Sequence, residues 1–305
     1  MVHNVWVREL RAPFLLLPLI FVPVGLAISW AHGSFNLLYA ILTLAGALFL
    51  HAGVNVLNDY FDYKSGIDII TTPTPFSGGS RILPGKELTP NNVLGAGLLF
   101  LLGGVLIGGF FVVELSYSPL LILILAVAAI SVLGYSPVFA KIAIGELLAG
   151  LNFGPLLVLG TFYVQTRTIA LEPIFVGACL GILTSCILYI NEFPDTAADS
   201  QKGRFHLVAR WGKAVAAKRF GFLIGSAYAV LVLGVLLRIV TPFALISLLT
   251  VPKAIRANRI LSAKFDSPME LIPGMAETVM TTLWTGVLIL AGYIISIELS
   301  TFVSI

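Results

Sequence analysis

Charge is what this 305-residue chain has least of: Asp, Glu, Lys and Arg together make up 11% of it, against about 25% in soluble globular domains. So little polar material cannot cover a soluble surface, whereas a chain that crosses a bilayer repeatedly needs charge only in its loops. Two ordinary soluble domains are excluded on that ground. Cysteine is nearly missing as well. The two present, Cys179 and Cys186, lie one heptad apart in one apolar stretch, about 10 Å along a helix and too far for a disulfide. Lys and Arg form no dense run and the net charge is only +3, so nucleic acid is not an expected partner. No small-residue cleavage site follows the first apolar stretch, which is therefore not read as a removable signal.

Apolar residues are what the chain has in excess, at 58%. A hydrocarbon core of about 30 Å needs roughly 20 apolar residues per helix. Windows of that kind, bounded by charges or Pro/Gly breaks, fall at 13–30, 37–57, 93–113, 120–134, 147–163, 174–190, 220–237, 242–251 with its continuation, and 279–297. The eighth is the shortest. Nine crossings place 16 of the 18 Lys and Arg on the side of the amino terminus and of the loops after the even-numbered spans. That asymmetry marks this side as cytoplasmic and the protein as a multi-pass protein of the cell membrane.

The second window ends in His51, Asn55, Asn58, Asp59 and Asp62, followed by Ser65-Gly66 and Asp68. At about 100° per residue the first five fall within an arc of about 100°, one face of a helix end. The sixth window ends in the same manner with Asn191, Glu192, Asp195 and Asp199, of which Asn191, Asp195 and Asp199 are spaced i, i+4, i+8. Further back on that face Gly177, Gly181 and Thr184 permit close helix packing. Residues 58–62 and 191–195 both read Asn-acid-aromatic-x-Asp. Four windows separate them, so the two segments cross in the same direction. This predicts one domain over 1–305 with a parallel repeat of four-helix units, halves near 1–140 and 141–260, and a last helix near 278–298. An inverted repeat of the transporter type would need an odd offset.

A lone acid at a helix end is usually a solvated loop charge. Six of the 15 acids gathered at two matched ends on one side are different, because their mutual repulsion requires a compensating cation. Oxygen ligands without a Cys or His array favour Mg²⁺ over Zn²⁺, and Mg²⁺ usually keeps open positions for phosphate oxygens. The metal thus implies a phosphorylated ligand. Matching cations are Lys64, Arg81 and Lys86 after the first cluster, Lys141 after the fourth window, and Lys202 and Arg204 past the second cluster. Lys141 near Tyr135 and Arg204 near Asp199 are the best placed to hold a diphosphate, while topology alone accounts for most of the others. His51, deeper on the acid-bearing face, reads as a packing residue rather than a base.

Asn58-Asp59-x-x-Asp62-x-x-x-Gly66-x-Asp68, together with Asp195-x-x-x-Asp199-x-x-x-Gly203-Arg204, resembles the paired aspartate-rich motifs of the UbiA superfamily of intramembrane prenyltransferases. Tyr135 followed by Lys141 is similar to the family's Tyr/Lys element after the fourth helix. The resemblance covers nearly the whole chain. It implies an all-α fold of nine transmembrane helices around a central cavity with a side opening to lipid. It also implies Mg²⁺ held by both motifs and a polyprenyl diphosphate donor such as geranylgeranyl diphosphate. Asp62, Asp195 and Asp199 become the principal metal ligands, Asn58 and Asp59 their close support, and Asp68 a candidate for a second metal or for acceptor activation. Asn191 orients Asp195. Diphosphate contacts fall to Asn58, Tyr135, Lys141, Arg204, Lys202, Arg81 and Asn191. The implied chemistry is ionisation of an allylic diphosphate as metal and cations stabilise the departing charge, with the carbocation kept from water in an apolar, aromatic cavity.

Residues 72–81 read Thr-Pro-Thr-Pro-Phe-Ser-Gly-Gly-Ser-Arg, with Leu83-Pro84-Gly85-Lys86 shortly after. Together with Gly66 and the 191–195 segment, this loop resembles the menaquinone branch, which prenylates 1,4-dihydroxy-2-naphthoate. Arg204 stands where a Lys is more usual, and Phe205-His206 replaces a small polar pair. Two alternatives stay within the enzyme class: transfer to geranylgeranylglyceryl phosphate, for which Arg8 and Arg11 would supply cations, or to a 4-hydroxybenzoate-type acceptor. An ion-coupled secondary transporter is the alternative outside it.

Overall fold

The computed structural model describes residues 5–134, 138–139 and 142–303. All regular structure among them is helical. A short helix α1 (Val5–Glu9) and a 3₁₀ turn over Ala12–Leu15 lead into α2 (Leu16–Ala31). Helix α3 (Leu37–Ser65) starts where the Asn36 side chain accepts the Tyr39 N–H, a polar cap on an otherwise apolar segment. It ends at Gly66, whose φ of 74° is open to glycine without strain and whose N–H closes on the Asp62 and Tyr63 carbonyls. The chain turns back there, and the one-turn helix α4 (Ile67–Ile70) brings Asp68 back to the same end of the bundle.

Helix α5 (Pro90–Glu114) is capped by Thr89 and carries Pro at its first position, where no N–H is missed. Next come α6 (Pro119–Gly134), α7 (Gly145–Leu151), a π-helical turn over Asn152–Leu156 that contains Pro155, and α8 (Leu157–Thr166). Helix α9 (Glu172–Gln201) is followed by α10 (Leu207–Trp211) and α11 (Lys213–Leu236). A 3₁₀ stretch over Pro242–Thr250 runs into α12 (Val251–Lys264), and α13 (Pro268–Val303) closes the bundle.

Seven helices among the described residues are long and apolar enough to cross a membrane: Ala12–Ala31, Leu37–Ser65, Pro90–Glu114, Gly145–Thr166, Glu172–Gln201, Lys213–Leu236 and Pro268–Ser300. The 120–134 window forms a shorter apolar helix, and the 242–251 window is largely 3₁₀. The architecture is an all-α polytopic membrane protein. On α5, Leu98, Leu99, Leu102 and Leu106 face outward, as a lipid-facing helix requires.

The cavity wall depends on one close helix contact. A β-carbon on Gly154 would stand 2.3 Å from the Gly177 carbonyl oxygen, and one on Gly181 would stand 2.3 Å from that of Gly150. Backbone therefore meets backbone between α7, the π turn and α9, the role expected of Gly177 and Gly181. Cys179 and Cys186 are free thiols buried in the same α9 core.

Candidate active site

The C-terminal ends of α3 and α9 meet at a cavity of about 410 Å³. Asn58, Asp62, Asp68, Asn191, Asp195 and Asp199 line its polar end together with Arg11 and Arg204. The walls continue as an apolar shaft between Leu50, Phe111, Ile124 and Leu156, as deep as Thr43 on α3 and Val164 on α8. At 1.5 Å per residue, Asp62 and Thr43 are separated by about 28 Å along α3, most of a bilayer core.

The side chains at the polar end come together through helix periodicity and one arginine. Asn58 donates to Asp62 Oδ2 at 3.1 Å across one turn of α3. The Arg204 guanidinium pairs with Asp62 and lies 3.8 Å from Asp199 Oδ1, so it joins the two motifs. Its backbone N–H also donates to the Asp199 carbonyl at 2.9 Å, which turns the chain back at the end of α9.

The loop after α4 covers this end. Thr74 organises its tip, accepting the Ser77 N–H on Oγ1 at 2.9 Å. Asn191 donates to the Phe76 carbonyl at 3.1 Å and ties the loop to α9. Gly79 has φ of 74°, and a β-carbon there would fall 2.9 Å from Asp68 Oδ1, so glycine is what lets the loop close on that carboxylate. Asp59 accepts the Ser80 N–H at 3.0 Å and pairs with Arg11, while Ser80 donates its hydroxyl to Glu9 at 3.0 Å. The amino-terminal segment thereby becomes part of the cover.

Burial, reinforced by the charges of Asp62 and Asp59, pushes the Asp68 carboxyl up to about 8. Burial also raises Glu9, to about 7, with Asp59 adding to it. For Arg11 burial opposes the charge, but Asp59 outweighs it and holds the guanidinium above its ordinary value. Burial likewise lowers His206, and its hydrogen bonds to Asp199 and Glu192 override that and carry it up to about 10.

Of the residues expected from the sequence, Asn58, Asp62, Asp68, Asn191, Asp195, Asp199 and Arg204 line the cavity. Asp59 is buried but directed to Arg11 and Ser80 rather than inward. Arg81 donates to the backbone carbonyls of Asp68 and Thr71. Lys202 is exposed, with its ammonium over Gly66. Lys64 lies over the Tyr60 ring and Lys86 is exposed. Tyr135 and Lys141 lie outside the described residues. Arg11 enters the site, whereas Arg8 pairs with Glu87 at 2.8 Å. His51 lines the shaft, its ring 4.5 Å from that of Phe153.

Glu146 was not anticipated. It reaches the cavity from the start of α7 and meets Glu192 and His206 there. Its signal was available: it is the one acid between 115 and 171 and directly precedes an apolar window. The donor set at the motif ends suits a hard cation. Asp195 Oδ1 and Asn191 Oδ1 are buried without a hydrogen-bond partner, and the candidate donor atoms of Asn58, Asp62, Asn191, Asp195 and Asp199 are oxygens.

Known proteins match this arrangement. A model of the UbiA prenyltransferase family covers residues 16–267. The chain is 27% identical over 294 residues, 95% of either chain, to the 1,4-dihydroxy-2-naphthoate octaprenyltransferase of Escherichia coli (strain K12). It is 31% identical over 259 residues, 83% of either chain, to the protein of that name from Mycobacterium tuberculosis. The apo UbiA homolog from Aeropyrum pernix K1 shares the fold with a TM-score of 0.70 at 18% identity, over 93% of this chain and 98% of that one. A UbiA homolog from Archaeoglobus fulgidus bound to GPP and Mg²⁺ gives 0.64 at 17% identity, over 94% and 99%. With the family match spanning most of a helical bundle whose two aspartate-bearing ends share one cavity, the chain belongs to the UbiA prenyltransferase family and is a multi-pass membrane prenyltransferase.

Proposed function

We propose that this prenyltransferase moves an isoprenyl chain from a polyprenyl diphosphate to 1,4-dihydroxy-2-naphthoate in a Mg²⁺-dependent reaction. The observation that carries the reading is the shape of the cavity: a pole of carboxylates and two guanidinium groups opening onto an apolar shaft, with a lining that runs about 28 Å along α3 from Asp62 to Thr43. A diphosphate head on a long hydrocarbon tail has the same division. The acceptor is inferred from relatives that bear the naphthoate name and match 83–95% of the chain. The transporter alternative ends with membership of a prenyltransferase family.

Asp62, Asp195 and Asp199 would hold Mg²⁺, with Asn58 and Asn191 beside them. Bound there, Mg²⁺ supplies Lewis-acid neutralisation of diphosphate charge. Arg204, already between the two motif ends, is placed to receive diphosphate oxygens as the allylic C–O bond lengthens. Arg11 adds a second guanidinium at that end of the cavity. Phe14, Phe76 and Phe153 line the wall, where aromatic side chains would shield an allylic cation from water and offer it π density. We further propose nine crossings with the site on the cytoplasmic side, supported by the placement of Lys and Arg; a cysteine introduced in the 65–88 loop should then label only from the cytoplasm.

The test is incubation of purified protein with geranylgeranyl diphosphate and an acceptor panel, with Mg²⁺ or EDTA, and mass spectrometry of the lipid products. Mg²⁺-dependent prenylation of 1,4-dihydroxy-2-naphthoate is expected. Preferential transfer to 4-hydroxybenzoate or geranylgeranylglyceryl phosphate would replace the acceptor, and transfer unaffected by EDTA would remove the metal.

A further inference from the structure

A third polar cluster lines the cavity beside the two motif ends, and the metal and diphosphate chemistry makes no use of it. Glu146 at the start of α7, Glu192 on α9 and His206 before α10 come from three separate segments, and one ligating atom of each lies within 4.8 Å of the others. All three face the cavity and are buried, Glu146 to 3% exposure. Glu146 is anchored on one side only. The Leu207 N–H donates to its Oε1 at 2.8 Å, and its own carbonyl accepts the Ser185 hydroxyl at 2.8 Å. Its Oε2 has no hydrogen-bond partner. The His206 ring separates the pair from the aspartate motif, with Nδ1 3.2 Å from Glu192 Oε2 and Nε2 3.3 Å from Asp199 Oδ2.

Leaving a buried acceptor oxygen without a donor is destabilising, and such an atom in a native site calls for a partner. Carboxylate oxygens ask for O–H or N–H donors, and two of them side by side repel an anionic group turned toward them, so a ring bound here presents a hydroxyl edge to the pair and keeps its own carboxylate away from it. Position narrows the partner further. The reacting carbon of a prenyl diphosphate is bonded to a diphosphate oxygen, so the acceptor ring must come within about 3–3.5 Å of a carbon at the metal end of the cavity. The Glu146–Glu192 pair is one imidazole width from Asp199, at that end and not down the shaft.

We propose that Glu146 and Glu192 form the acceptor-recognition site, accepting hydrogen bonds from the hydroxyl groups of a hydroxylated aromatic ring and holding that ring against the donor's reacting carbon. The inference rests on the reading of the protein as an aromatic prenyltransferase and adds the chemistry by which the ring is chosen. His206 is a positioning residue that keeps the pair and Asp199 at fixed separation.

The experiment compares full-length wild type with Glu146→Gln and Glu192→Gln at saturating geranylgeranyl diphosphate and Mg²⁺, using 1,4-dihydroxy-2-naphthoate and its dimethyl ether as ring substrates. Wild type should prefer the free hydroquinone by about 10²-fold or more, a comparison that needs no variant to fold. Either Gln variant should raise the KM for the hydroquinone at least tenfold and erode that preference, while the KM for the diphosphate and the half-saturating Mg²⁺ stay within twofold. Wild type that prenylates the dimethyl ether as readily as the hydroquinone overturns the inference. So do variants with unchanged hydroquinone KM, or a transition-metal ion held by wild type and lost in Glu146→Gln. Wild type that transfers to no hydroxylated ring at all overturns the aromatic-acceptor reading beneath it, a result distinct from active wild type with indifferent variants.

Discussion

At the end of α3 two acids are engaged, Asp59 with Arg11 and Ser80 and Asp62 with Arg204 and Asn58, while the Asp68 carboxyl lies close against Gly79. At the end of α9 the matching positions leave oxygen unengaged, with Asp195 Oδ1 and Asn191 Oδ1 both lacking a hydrogen-bond partner. The two ends share the pattern Asn-acid-aromatic-x-Asp and divide the work. The α3 end builds the cover, recruiting the amino-terminal segment and the glycine-rich loop, while the α9 end keeps lone pairs directed into the cavity. Arg204 is the link, because it leaves one end and pairs with the other.

The sharpest way to break this comparison is to remove one carboxylate from each end. Asp195→Asn and Asp62→Asn should each cut turnover by about 10³-fold, the size of effect seen when a preorganised charge-stabilising group is lost, with the protein still folded in the membrane. Prenyl-transfer rates on purified variants measure it, and near-normal activity in both would end the ligand assignment. Asp59→Ala should separate the two kinds of acid. Here the expected loss is in stability, about 1–3 kcal/mol, because the partly buried Arg11 and the Ser80 N–H would both lose their partner. Thermal unfolding in detergent reads that loss, and an Asp59→Ala protein as stable as wild type but devoid of Mg²⁺ dependence would make Asp59 a ligand instead.

Much of this division was legible in the residues. Helical periodicity put Asn58 and Asp62 on one face and Asn191, Asp195 and Asp199 on another, and both faces line the cavity. Gly177 and Gly181 announced a close helix contact. Periodicity stops at the helix end, however, and beyond it the place of a side chain depends on where the chain turns. Arg11 reaches Asp59, 48 positions away, from a left-handed backbone with φ of 49°. Arg81, also left-handed at φ 66°, points its guanidinium at backbone carbonyls. Arg81 and Lys202 were therefore identified by charge but not located by it. Glu146 belongs to neither motif and enters through tertiary packing alone. The 242–251 window shows a further limit: its apolar content was plain, but nothing in a hydropathy run distinguishes an α-helix from the 3₁₀ stretch found there.

Between the two ends, Asn191→Ala should cost about 10–100-fold in activity, the range for losing a group that orients a ligand. It removes both the Asn191 oxygen in the cavity and the donor to Phe76, so the loop loses its tie to α9. Raised proteolytic nicking within residues 72–81 would register the second effect separately. Activity loss without nicking would assign Asn191 to the metal alone.

The smallest effects set one glycine of each region against the other. Gly79 in the loop after α4 and Gly203 after α9 both have φ of 74°, and an L-residue held there costs about 1–2 kcal/mol. Around Gly203 nothing lies within 4 Å of an added β-carbon, whereas at Gly79 all three nearest atoms belong to the Asp68 carboxyl, at 2.9 to 3.1 Å. Gly203→Ala should therefore lose only the backbone cost, seen as a small fall in melting temperature with activity nearly intact. Gly79→Ala should lose that and also push the loop off Asp68, so turnover falls severalfold as well. Equal activity in the two variants would mean that closure of the loop on Asp68 does not matter to the reaction, and the α3 end would then be a cover without a catalytic consequence.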